Sequence, residues 1–201
     1  MNTLARRAAV VAASIGAAVA MTVSSASAGV LSPWTVTPSG AFTAHANGPT
    51  LSVPAALLVC DSSDASGTLK PSSADGVKIG TIDDITFTDC NVGGIPFDVT
   101  MNVTPWYINA IAPNGSNVDG SISGISAHIS GIGCTADFTG TVYGDYNNSA
   151  GTLNVYGPTT DLVASNASCL GLINDGDEAV FDASYLVKMV ATGTSPTITT
   201  P

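Results

Sequence analysis

The sequence predicts an all-β fold: an antiparallel sandwich or barrel, built from two similar halves and stapled by two disulfides. Three observations predict it. Val, Ile, Thr and aromatic residues recur in short alternating runs, separated by Gly, Asn, Asp, Ser and Pro, which is the signature of strands and turns. Glu178 is the only glutamate among fifteen acidic residues, and the Asp that makes up the rest favours turns over helix interiors. Four cysteines follow an N-terminus of export type, so an oxidised framework is the expected state.

In chain order the first element is a secretory signal over residues 1–28. Arg6 and Arg7 form its positive region, and residues 8–23 carry no charge. Small residues at Ala26 and Ala28 then make an A-x-A site, so cleavage is expected after Ala28. The uncharged run is shorter than the roughly 20 residues that span a bilayer. No integral membrane segment is expected after cleavage. Removing 28 of 201 residues leaves 173, with Lys70, Lys78 and Lys188 against fifteen acids, a net charge of −12. Such an acidic chain repels phosphate backbones, which excludes nucleic acid as a partner.

Residues 29–191 read as a single β-domain. Its clearest alternation is Phe97, Val99, Met101 and Val103 on one face, with Asp98, Thr100, Asn102 and Thr104 on the other. Residues 82–88, 138–143, 153–156, 161–164 and 179–190 complete the series. Ile122, Ile125, Ile129 and Ile132 hint at a helical period. Gly120, Gly124, Gly131 and Gly133 interrupt them, at about 1 kcal/mol per glycine in a helix, so a strand with a bulge is expected. Asn114-Gly115, Asp119-Gly120 and Asp175-Gly176 read as tight turns, and residues 145–151 as a hairpin tip. The Thr- and Pro-rich tail, residues 192–201, is expected to fray.

Cys60 and Cys134 are each followed, six or seven residues on, by Gly-Thr and an aliphatic residue. Each has a later cysteine, Cys90 and Cys169. The chain's two tryptophans stand ahead in Pro33-Trp34 and Pro105-Trp106, which suggests an internal duplication. Of the three disulfide pairings open to four cysteines, Cys60–Cys90 with Cys134–Cys169 closes each half on itself.

No set of residues announces chemistry. His45 and His128 are the only histidines, and no G-x-S-x-G elbow is present. Adjacent strand residues point to opposite faces, so Asp83 and Asp84 share a cleft only if a bulge intervenes. Asp61 and Asp64 read as part of a Ser-rich loop. Asn174, Asp175, Asp177 and Glu178 are the densest oxygen-bearing cluster, yet they lack the ordered spacing of a calcium loop. No catalytic residue, metal or cofactor is assigned. Tyr143, Tyr146 and Tyr156 near the hairpin tip suit stacking on sugars, against the commoner fate of core packing.

Residues 169–181, running from Cys169-Leu170-Gly171-Leu172 to Glu178-Ala179-Val180-Phe181, resemble a signature of secreted, uncharacterised β-rich proteins of actinobacteria of the Streptomyces and Nocardia type. Pro105-Trp106-Tyr107-Ile108, the isolated Cys60, Cys90 and Cys134, and the Ala-rich signal are similar to the same group. The resemblance implies an exported β-protein and no catalytic residues. Nothing functional carries over from it; the signal, the paired cysteines, the Thr- and Gly-rich strands and the lack of a catalytic set lead to the expectation of a non-enzymatic binding or structural role at the actinobacterial cell surface or beyond it, with a cell-envelope component or glycan as partner. A pore or barrel of a mycolic-acid outer membrane and a secreted hydrolase using His128 are the alternatives.

Overall fold

In the computed structural model, the residues described are 33–157 and 161–200. The signal segment, residues 1–28, lies outside them. The strands in chain order are β1 (Trp34–Thr37), β2 (Gly40–Asn47), β3 (Thr50–Val53), β4 (Ala56–Val59), β5 (Ser62–Leu69) and β6 (Ser72–Ser73). They continue with β7 (Gly80–Thr88), β8 (Cys90–Val92), β9 (Ile95–Met101), β10 (Trp106–Asn114) and β11 (Asn117–Gly131). The last are β12 (Cys134–Asn147), β13 (Thr152–Val155), β14 (Val163–Ser168), β15 (Val180–Met189) and β16 (Thr197–Thr199).

Most of these strands join end to end. Asn47 pairs with Ser62 and Thr50 with Val59, so β2–β3 and β4–β5 form one long hairpin that is merely kinked near Gly48. In the same way β7–β8 and β9–β10 run as single staves, and β13–β14 lines the long strand β12. Eight staves result. Each is antiparallel to its sequence neighbours, and β15 returns to pair with β2 and β3. The pairings β12–β13–β15–β2–β5–β7–β10–β11–β12 close a ring. The fold is an up-and-down barrel, which leaves the main sheet no free edge.

Alternation along each stave fills this barrel. Phe42, Ala44 and Ala46 of β2 are buried while Ala41, Thr43, His45 and Asn47 are exposed. On β15, Ala183, Tyr185, Val187 and Met189 point in, whereas Asp182, Ser184 and Leu186 point out. Gly124 carries the expected bulge: the β11–β12 register shifts between Ser123 and Ile125, and its φ is 74°. That extra residue keeps both Ile122 and Ile125 inside.

A second sheet, β16–β1–β6, covers one end of the barrel. The tail expected to fray therefore pairs with β1, through Thr35 with Thr199 and Thr37 with Thr197. Ile198 is buried, and its backbone is clasped by Asn148, which donates Nδ2–H to its carbonyl and accepts its N–H. One apolar residue amid threonines anchors the strand.

Both disulfides, Cys60–Cys90 and Cys134–Cys169, are present at the opposite end, with all four cysteines buried. The two Pro-Trp segments do not match in place. Trp34 belongs to the covering sheet, while Trp106 opens β10 inside the barrel. Three further expectations are corrected. Asp119-Gly120 lies within β11, where a Cβ on Gly120 would meet the Asn109 carbonyl oxygen. Val103 falls beyond β9 and is exposed, its carbonyl accepting the Trp106 Nε1–H. Asp61 precedes strand β5 and Asp64 lies within it, so the Ser-rich stretch is not a loop. Its inward residues are Ser63, Ala65, Gly67 and Leu69, small enough that Phe42 packs directly over Gly67.

Candidate functional site: the barrel interior

An eight-stranded barrel is just wide enough for side chains to fill, or to hold one small ligand. Which of these occurs depends on side-chain size. Here Ala44, Ala65 and Ala110 are inward and buried, and they border space that larger side chains would take. The space is a string of three cavities of about 60, 40 and 50 Å³ along the barrel. Trp106, Ile125, Val142 and Phe181 line both the first and the central one. Phe42, Ile108 and Leu153 line both the central one and the third, which Pro196 and Ile198 cover.

These walls are almost wholly apolar. Phe181 meets Phe87 edge to face, ring centres 6.1 Å apart, a favoured aromatic geometry. Asn109, at the third cavity, is fully committed: its amide donates to Tyr107, Ser121 and Ser123, and its Oδ1 accepts the Lys78 N–H. Tyr146 donates its hydroxyl to the Pro196 carbonyl at 2.6 Å. A buried polar pair lies behind the apolar wall of the central cavity, which the Tyr185 ring helps to line. Tyr185, 3% exposed, donates its hydroxyl to Ser63 Oγ at 2.9 Å, and Ser63 is fully buried. Burial pushes the Tyr185 phenol up to about 12, so it stays a protonated donor.

The histidines are on the outside. His45 Nδ1 lies 2.8 Å from Asp64 Oδ1, its cross-strand partner, and Nε2 lies 3.3 Å from Asn47 Oδ1. The Asp64 hydrogen bond, then that of Asn47, raises the His45 pKa above its usual value. His128 Nδ1 lies 2.7 Å from Asp137 Oδ1, again its cross-strand partner. Asp137 also accepts amide hydrogens from Asn166 and Asn102. Asn166, then His128 and Asn102, hold its carboxyl below the usual range. Among the described residues no serine or threonine hydroxyl is hydrogen-bonded to either imidazole, so neither pair forms a triad.

Asp83 and Asp84 both face solvent, because the β5–β7 register shifts at this point and makes Asp83 an extra residue. The acidic loop is occupied with its own backbone. Asp175 accepts the Ala167 N–H, and Asp177 accepts the N–H and amide of Asn174. Among the described residues no three His, Cys, Asp or Glu side chains, Glu178 included, gather as metal ligands would. Tyr143 donates to Asp161 on the outer face, and Tyr156 is exposed, so the three tyrosines do not form one platform.

The sequence did not single out Ser63, Tyr185 or the inward alanines. Tyr185 had a signal, since residues 179–190 alternate and place it with Val187 and Met189. Ser63 had none, because small polar residues read as loop. Comparison of the chain with protein-family models, with curated proteins and with solved structures gives no match.

Proposed function

We propose that this chain is an exported, non-enzymatic binding protein of the cell surface or extracellular space, and that its barrel interior holds a small apolar molecule. The string of apolar cavities carries the reading. Each, at about 60, 40 or 50 Å³, is smaller than the roughly 150 Å³ at which one dry cavity lined by Leu, Ile and Phe takes up benzene, and shared lining residues put them side by side. Burying apolar ligand surface there gains about 25 cal/mol per Å², and the closed ladder holds the pocket rigid.

The two buried disulfides and the A-x-A site at Ala28 support export. No helix among the described residues is long and apolar enough to cross a membrane. The side chains around the barrel point the other way from those of a membrane-spanning barrel, which turns its apolar face to lipid. Here the outward positions include Thr43, His45, Asp64, Thr86, Asp137 and Ser184, with apolar Leu57, Ile111 and Leu186 interspersed. That polarity favours a soluble container over a pore. Both histidine–aspartate pairs lie on the outer face, away from the cavities, and no hydroxyl among the described residues is hydrogen-bonded to either imidazole, which supports binding over hydrolysis.

The test is uptake of n-hexane by the purified mature chain, residues 29–201, measured by headspace partition and by the shift in Tm. Saturable uptake of one hexane with a raised Tm is expected. Ala65→Val, which narrows the central cavity, is expected to reduce it. Hexane partition no greater than into buffer would overturn the reading.

A further inference from the structure

We infer that the disulfide end of the barrel docks on a zwitterionic phospholipid surface, dipping four apolar turns into it while the barrel wall stays in water. The strand connections differ sharply between the two ends. At the covered end they carry residues that turns favour: Lys70-Pro71-Ser72-Ser73, Asn114-Gly115-Ser116 and Asn147-Asn148-Ser149. At the disulfide end, residues 53–59, 92–97, 131–134 and 169–173 contain no charged, hydroxyl or amide side chain. Turn formation does not call for this, since Asn, Asp or Ser would serve the same turns.

These four connections are neighbours in space. Leu58 pairs with Val92, Phe97 with Gly131, and Thr135 with Ser168, which sets the turns side by side around the barrel mouth. Leu57, Ile95, Ile132, Leu170 and Leu172 are exposed on them. Ile132 is 85% and Leu170 91% exposed, the highest values among the large hydrophobic side chains described. A Cβ on Gly133 would lie 3.7 Å from Leu170 Cδ1, so these two crests adjoin. Cys134–Cys169 stands directly behind them, and Cys60–Cys90 behind the other two turns. The bonds hold the crests out from the barrel. Single exposed apolar residues are ordinary, but a cluster at one end marks an interaction site.

The chemistry of the crests favours lipid over protein. A protein interface carries about one hydrogen bond per 100–200 Å², and these turns offer only backbone groups for that purpose. An acyl layer asks for none, and binding to it grows with the apolar area inserted. Charge then selects the lipid. Lys70 follows β5, Lys78 precedes β7 and Lys188 reaches Ser195, so all three lysines lie toward the covered end. Acids stand just behind the crests: Asp98 is the cross-strand partner of Ser130, and Asp175 accepts the Ala167 N–H. Their carboxylates repel an anionic surface and complement the outer ammonium groups of zwitterionic headgroups. The inference holds whether or not the barrel takes up a ligand.

Flotation of the mature chain, residues 29–201, with vesicles of phosphatidylcholine or of phosphatidylglycerol tests it. The wild type is expected to float with phosphatidylcholine and less with phosphatidylglycerol at low salt, the difference shrinking as salt is added. Ile132→Ser combined with Leu170→Ser should weaken phosphatidylcholine binding about tenfold or more. Ile111→Ser, on the outer wall of β10, should leave it unchanged. Both serine positions are exposed, so the double variant is expected to fold with little change in Tm. In Ile132→Trp, the added emission should shift to the blue on vesicle binding and be quenched by brominated acyl chains. That measurement stands even if the serine variant does not fold. Absence of wild-type flotation, equal flotation of the double variant, preference for phosphatidylglycerol, or an unquenched tryptophan would overturn the inference. A wild-type dimer that the double variant abolishes, with no vesicle binding, would overturn it in favour of an interface between copies of this chain.

Discussion

Tyr185 and Ser63 lie 122 positions apart in the chain, yet their hydroxyls meet at 2.9 Å inside a mostly apolar barrel. Removing one partner strands the other. Tyr185→Phe leaves the Ser63 hydroxyl buried and alone, and about 1–3 kcal/mol of stability should be lost. The double variant with Ser63→Ala should recover part of it. Urea unfolding of the two single variants and the double checks this as a cycle. Additive losses would mean the pair is not coupled.

The disulfides tie staves at the barrel end opposite the covering sheet, and each closes a loop of 30 or 35 residues. Replacing either pair by alanines should cost about 3–4 kcal/mol in the chain-entropy account. Denaturant midpoints measure it. A loss below 1 kcal/mol for either pair would show that the closed ladder alone sets the stability.

The C-terminal strand is structural. A chain ending at Thr194 loses β16, the carbonyl that accepts the Tyr146 hydroxyl, and the cover over the third cavity. It should unfold at lower urea, with a loss of about 2 kcal/mol or more. Unchanged stability would mean that the tail contributes only contact.

His45 should titrate above its ordinary pKa of 6.5, and Asp64→Asn should bring it back down, read from imidazole shifts by NMR. Because the folded value is raised, the stability it contributes is complete below 6.5 and disappears as pH rises through the folded value. A His45 pKa that ignores Asp64→Asn would contradict the assignment.

Asp137 has the opposite sign. Its folded pKa lies below 3.8, so its contribution is present above that value and fades as pH falls through the folded one. Asn166→Ala should raise it most, since Asn166 is the largest cause. Carboxyl-carbon NMR shifts follow this directly.

The sequence reading reached the fold class, the cysteine pairing and a bulge somewhere in the glycine-interrupted strand β11, because each rests on local chemistry: alternation, turn residues, and glycines where a register can slip. It missed β5, because inward small residues such as Ser63 and Gly67 remove the hydrophobic half of the alternation. It also missed the pairing of Thr197–Thr199, whose anchor is the single Ile198. Interior space was invisible for a related reason. An alanine in a strand reads as a weak core residue, and only the folded barrel shows that the paired Ala44 and Ala65 border a vacancy. Tyr185 and Ser63 meet through closure as well, since no local spacing links β15 to β5.

A crystal of the mature chain pressurised with xenon tests the container most directly, because xenon enters dry apolar cavities. Xenon density is expected between Phe42, Trp106, Phe181 and Tyr185, in the central cavity and its two neighbours. A barrel interior with no xenon, or one filled by ordered water, would contradict it.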